Sequence, residues 1–215
     1  MSNISEKLVI PAEYNWLPSD TAQLLHQQIC AAPIEWHPYA VFLGGSSQVH
    51  YSTSFPQELE PQLMQSFQQG YFCYRFRRSV SHTTGCQCWW CTFQKDYLAQ
   101  TFLQKLGECL SIAAEELSLG ETFVSIYRAG DFLSVHHDKG KGDFAFVLNL
   151  TPSWKSVWGG SLHVCGASTS TAVEVGYNSL SVLDVSDPEG HDHYVSMVSP
   201  YAPKPRIAVT GWVSR

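Results

Sequence analysis

A mainly β domain, a barrel or sandwich with helices packed on it, is the fold class this sequence predicts. Two observations predict it. Helical spacing of apolar residues stops at Gly120. From there on, short runs rich in Val, Phe, Tyr, Ile and Thr alternate with turn residues, the pattern of a many-stranded β structure.

The elements follow in order. Ser19 and Asp20 are placed as caps before a helix over Thr21–Cys30, with Leu24 and Leu25 as its apolar face. A second helix is expected from Pro56 to Gln69, with Leu59, Leu63, Met64 and Phe67 on one side and Gly70 as its stop. Asp96 is expected to cap a third, in which Leu98, Phe102, Leu106, Leu110 and Leu117 recur, with Gly120 ending it. The expected strands are Thr122–Tyr127, Leu133–His136, Phe144–Leu150, Ser161–Cys165, Ala172–Val175, Leu180–Asp184, Tyr194–Val198 and Arg206–Val213. No linker, repeat or low-complexity segment divides them, so residues 1–215 are read as one domain, with 1–120 a helical and loop preface and 121–215 the strand core.

Composition narrows the function classes. A net charge of −6 argues against a broad nucleic-acid footprint, leaving Arg75, Arg77 and Arg78 as the one candidate basic patch. No run of about 18 apolar residues predicts a membrane helix, and the N-terminus carries no export signal. Seven cysteines, an odd number, point to free thiols, and with no export signal to a cytoplasmic location. The sequence carries no indication of oligomeric state.

The chemistry begins at His136-His137-Asp138. Strand residues two apart share a face at roughly 6.5–7 Å, so His136 and Asp138 can converge on one ion while His137 faces away. Imidazole with carboxylate suits a borderline ion such as Fe(II). With nine histidines such a triplet also arises readily by composition, so a further ligand from a later strand is required. His193 is preferred because Val195 and Val198 follow it into a strand; His191 is the alternative. Further on, Arg206 shares one strand face with Ala208, Thr210 and Trp212, opposite Ile207 and Val209. An interior arginine needs an anion, and a carboxylate suits its fork; a rim arginine is the other reading.

These motifs in this order resemble the Fe(II)/2-oxoglutarate dioxygenase superfamily, and within it the prolyl 4-hydroxylase-like branch. The resemblance runs from about Val124 to Val213 and includes Tyr127 with Gly130, His136-x-Asp138, Leu148-Asn149 followed by Trp154, Gly159-Gly160-Ser161-Leu162, Asn178-Ser179-Leu180, His193-x-Val195-x-x-Val198 and Arg206 through Gly211-Trp212. It implies a double-stranded β-helix (jelly-roll, cupin-like) core packed against the N-terminal helices. It implies Fe(II) held by His136, Asp138 and His193, and 2-oxoglutarate held through its distal carboxylate by Arg206, with Thr210, Tyr127 and Asn149 beside it. For Tyr127 and Asn149, purely structural roles stand alongside. The implied activity is hydroxylation of a protein, peptide or amino-acid substrate with O2, releasing succinate and CO2; ascorbate is admitted as a reductant. Retention of Asp138 argues against halogenation.

Some positions depart from the pattern. Many relatives carry a tyrosine where this chain has Val147, and often an arginine in the stretch here occupied by Gly142-Asp143-Phe144. An AlkB-like nucleic-acid demethylase is the nearest rival, but such proteins carry a second arginine where Trp212 stands. A separate cluster, His82 with Cys86, Cys88 and Cys91, offers zinc donors, which would suit an inactive zinc-organised interaction module; the other reading is a mobile aromatic loop with free thiols.

Overall fold

The structure, a computed structural model, describes residues 8–82, 85–166, 169–187 and 192–215. Its centre is a curled, mostly antiparallel sheet of twelve strands. In chain order these are β1 (Leu8–Tyr14), β2 (Tyr39–Phe42), β3 (His50–Ser52), β4 (Tyr74–Arg78), β5 (Ser118–Tyr127), β6 (Phe132–His136), β7 (Phe144–Asn149), β8 (Leu162–Cys165), β9 (Ser170–Ala172), β10 (Ser179–Asp184), β11 (His193–Val195) and β12 (Arg206–Ser214). They pair in the order β1-β10-β7-β12-β5-β4-β6-β11-β8-β9, with β2 joining β3 to β4. β4 is the bend of the sheet: Arg77 and Arg78 pair with β5, while Tyr74 and Arg75 pair with β6.

Alternation on the long strands separates two cores. Ile207, Val209 and Val213 of β12 face the helices with Val124, Ile126, Phe146 and Leu148. Phe123, Tyr127 and Trp212 face inward, where they meet Leu162 and Val195 from the other side of the curl. The helices cover the outer face. They are α1 (Ser19–Ala31), α2 (Glu60–Gln68) and a continuous run made of α3 (Trp89–Thr92), a π-helical stretch (Phe93–Phe102) and α4 (Leu103–Leu110). Leu98, Phe102 and Leu106 are fully buried from that run, and each such side chain contributes about 1.5–3 kcal/mol. A strict four-residue repeat overruns the 3.6-residue α turn by about 0.4 residue per step. The i→i+5 bonded stretch Phe93–Phe102 overlaps that repeat, and both Leu98 and Phe102 are buried from it.

Several expectations are corrected. The first 120 residues are not helix and loop alone: β1 to β4 lie there and join the core sheet, β1 by pairing with β10 and β4 by pairing with β5 and β6, with β2 on β4 and β3 on β2. In α1 the cap is Pro18, without a side-chain hydrogen bond, and Ser19 and Asp20 lie inside the first turn. Its buried face is Ala22, Leu25 and Ile29; Leu24 is exposed. In α2, which a 3-10 turn precedes, Leu63 is buried while Met64 and Phe67 are half exposed. Asp96 caps nothing, because it sits within the π-helical stretch, whose helical run starts earlier at Trp89. That run ends at Ser111, which takes the left-handed conformation (φ 57), and Gly120 instead lies in β5 against the Trp212 carbonyl. The strand expected at Ala172–Val175 is Ser170–Ala172, so Val173 to Val175 lie outside it. β11 ends at Val195, short of Val198.

The basic patch is also corrected. Arg75 pairs with Glu60 (2.6 Å) and Asp131 (3.4 Å), and Arg78 with Glu121 (2.6 Å). Arg77 is buried and donates to the carbonyls of His37 and Thr53. None of the three offers an unpaired positive surface. Among the described residues no helix is long and apolar enough to cross a membrane.

Gly159 lets the loop before β8 press on the segment that follows β11. Its φ of 70 and ψ of −151 lie in a region that only glycine adopts readily. A Cβ there would sit 2.2 Å from the Met197 carbonyl oxygen. Gly140 also has a positive φ, of 80, but nothing lies within 4 Å of an added Cβ. Gly140→Ala is therefore expected to cost about 1–2 kcal/mol from backbone conformation alone, and Gly159→Ala distinctly more. Urea unfolding of both variants checks this; equal losses would mean that the approach to Met197 carries no weight.

Candidate metal centre

Strand pairing brings the first two donors together. His136, the last residue of β6, is the direct cross-strand partner of His193, the first residue of β11. Their rings stand 4.2 Å apart, centroid to centroid. Two residues beyond His136 the chain turns, and Asp138 brings a buried carboxylate between them: Oδ2 lies 3.3 Å from His193 Nε2, and Oδ1 lies 3.8 Å from His136 Nε2. His137 is exposed. His191, the alternative ligand, lies outside the described residues.

The fit to a metal ion follows from these distances. First-row ions take N and O donors at about 2.0–2.2 Å, which sets donors sharing an ion roughly 3–4 Å apart. One donor atom each from His136, Asp138 and His193 all lie within 4.8 Å of one another. Asp138 Oδ1 is buried without a hydrogen-bond partner, with Lys141 Nζ standing off at 3.6 Å. A buried carboxylate oxygen left so is costly unless a cation meets it. The protonation states suit ligation as well. Burial, reinforced by the neighbouring His193, pushes His136 down to about 4, so it is neutral near pH 7. Its Nδ1 donates to the Ser134 carbonyl at 2.9 Å, which leaves the Nε2 lone pair toward Asp138. Burial alone would raise Asp138, but the hydrogen bond and charge of His193, with His136 and Lys141, outweigh it and hold the carboxyl well below its usual range.

The triad opens into a cavity of about 100 Å³ that Arg206, Thr210, Tyr127 and Val147 also line. Arg206 opens β12 and is the cross-strand partner of Tyr127. It is fully buried, not a rim residue. Its Nη2 donates to Asn149 Oδ1 at 2.9 Å, its Nε has no hydrogen-bond partner, and its guanidinium stands 5.4 Å from the centre of the Tyr127 ring. Asn149 does not line the cavity; its amide nitrogen donates to Ser179 Oγ, which anchors it for Arg206. Thr210 contributes a hydroxyl 3.2 Å from Ser125 Oγ. Burial raises the Tyr127 phenol far above its ordinary value, so it stays neutral.

Residues 122–214 match the family model of the 2OG-Fe(II) oxygenase superfamily. No curated protein matches the chain in sequence. In structure the chain is similar to a prolyl-4-hydroxylase from Pseudomonas putida, over 95% of this chain and 91% of that one, at 19% identity and a TM-score of 0.58. It is similar to an oxidoreductase of the 2OG-Fe(II) oxygenase family from Burkholderia pseudomallei, over 94% and 82%, at 13% identity and a TM-score of 0.55. The viral collagen prolyl hydroxylase of Paramecium Bursaria Chlorella virus-1, solved as a 2OG complex, is similar over 94% and 93%, at 11% identity and a TM-score of 0.50. At these identities the likeness establishes the double-stranded β-helix, or jelly-roll, fold.

The cavity has walls that sequence reading missed. Phe72, Tyr74 and Phe76 line it from β4 and the residue pair before it, and the Phe72 ring lies 5.4 Å from that of His136. The period-two spacing of Tyr74 and Phe76 was the available signal, hidden by the arginines between and after them. Lys141 also lines it, with Nζ 4.3 Å from the Trp212 ring centre.

Proposed function

We propose that this oxygenase uses Fe(II), 2-oxoglutarate and O2 to hydroxylate a C–H bond of an amino-acid residue, prolyl or other, in a protein or peptide. The observation that carries the reading is one cavity lined both by a buried two-histidine, one-carboxylate triad and by a buried arginine lacking a carboxylate partner among the described residues. In this reading His136, Asp138 and His193 hold the iron from one side and leave its other positions to the reactants. Bound there, the metal supplies the redox chemistry that couples decarboxylation of 2-oxoglutarate to succinate with insertion of one oxygen into the substrate.

The chain's own residues do the positioning. Arg206, oriented by Asn149, offers its free Nε–H edge to the distal carboxylate, in a site where burial strengthens the pairing. The Ser134 carbonyl fixes the His136 tautomer, and Tyr127, Phe76 and Tyr74 exclude water from the cavity wall. The prolyl hydroxylases among the structural relatives support a peptidyl substrate.

The test is a succinate-release screen over prolyl and other peptides with Fe(II) and 2-oxoglutarate supplied, read by mass. A peptide gaining one oxygen, in an EDTA-sensitive reaction, is the expected outcome. Oxygen gained only by methylated single-stranded DNA would overturn the substrate class, and failure to bind 2-oxoglutarate in the presence of Fe(II) would overturn the cosubstrate.

A further inference from the structure

We infer that the chain carries a second metal centre, a structural zinc site made of His82, Cys86, Cys88 and Cys91, independent of the iron reading. Three sulfurs converge on one nitrogen. The Sγ atoms of Cys88, Cys91 and Cys86 lie 3.0, 3.4 and 3.5 Å from His82 Nδ1. A single imidazole nitrogen carries either one proton or one lone pair, so it cannot hydrogen-bond three thiols at once. A cation among the four donors explains the arrangement. In a tetrahedral zinc site, with Zn–S about 2.3 Å and Zn–N about 2.0–2.1 Å, nitrogen and sulfur stand roughly 3.6 Å apart. The four donor atoms all lie within 4.8 Å of one another, and none of the cysteines is in a disulfide.

The donor set selects the metal. Three thiolates and one imidazole are a soft, closed set that favours zinc over the hard ions and over the iron that suits His136, Asp138 and His193. Four protein ligands leave no open position, so the site is structural and not catalytic.

Its place in the fold gives it a task. His82 lies four residues beyond β4, and Cys88 and Cys91 flank Trp89 and Trp90 at the start of the helical run, which is thus no aromatic loop. Trp90 is buried in the outer core. Trp36 packs edge-on against His82 and stacks on Trp89, covering one side of the cluster. The ion would clip the helix start to the strand whose Tyr74, Phe76 and Arg78 wall the oxygenase cavity.

Metal analysis of protein purified without chelator tests this, together with cobalt(II) substitution. About one zinc per chain is expected in wild-type protein and in Asp138→Ala, with loss from Cys88→Ser. Cobalt should give the visible spectrum of a tetrahedral thiolate complex in the first two and not in the third. Zinc that disappears with Asp138→Ala but survives Cys88→Ser overturns the site. So does wild-type protein that holds no zinc and gives no tetrahedral thiolate spectrum. If Cys88→Ser does not fold, the cobalt spectra of wild-type and Asp138→Ala decide alone: thiolate-to-cobalt charge transfer in both supports the site, and its absence overturns it.

Discussion

Asp138→Ala is expected to reduce succinate formation by on the order of 10³-fold or more, even with Fe(II) in excess. Loss of a partner one shell out from a metal typically costs roughly 10- to 100-fold in affinity or activity, and loss of a ligand itself costs more. The geometry makes Asp138 hard to replace. Among the described residues it is the carboxylate within reach of both histidines, at 3.3 and 3.8 Å, and its buried Oδ1 has no hydrogen-bond partner there. Alanine leaves two imidazoles and no negative charge at the centre, and water can fill the gap only as a neutral donor. Circular dichroism should show the β fold retained. Turnover by this variant at the wild-type rate would take the triad out of the chemistry.

Arg206→Ala should act on the cosubstrate instead. A charge-assisted, bidentate contact contributes about 1.5–3 kcal/mol, so the KM for 2-oxoglutarate should rise about 10- to 150-fold. Iron content should not change, because Arg206 is not among the triad's donors. Arg206→Lys should fall between the two, since lysine keeps the charge but not the fork that meets Asn149. The measurement is KM against metal stoichiometry in the same preparations. An unaltered KM would exclude Arg206 from the cosubstrate pocket.

How much of this was legible depends on where each residue's partners lie. The strands after residue 121 could be read because they are short, largely buried apolar runs cut by turn residues, which places β5, β7 and β12 to within a few residues. The Ile207–Val209 and Arg206–Thr210 faces of β12 separate as alternation requires. β2, β3 and β4 were not legible. They are three to five residues long; β4 pairs with β5 and β6 far along the chain, while β2 pairs with β4 and β3 pairs with β2. In β4 the arginines disguised the pattern, since their partners Glu60, Glu121 and Asp131 are distant in sequence. At the metal centre, His-x-Asp was visible as a motif. That His193 sits directly across from His136 is a matter of strand register, which no local pattern encodes. The cluster of His82 with Cys86, Cys88 and Cys91 was legible as a motif; that the three sulfurs approach one ring nitrogen is a matter of geometry that the motif does not encode.

Because β4 is the hinge of the curl, the chamber is assembled from two stretches of chain under different constraints. The stretch that matches the superfamily model carries the triad and the arginine, whereas Phe72, Tyr74 and Phe76 belong to an upstream stretch that the match does not reach. Descendants of this sequence could therefore redesign what the chamber admits by drifting in those aromatic positions while the reactive apparatus stays as it is. Divergence in selectivity would leave no trace in the signature by which such enzymes are sorted.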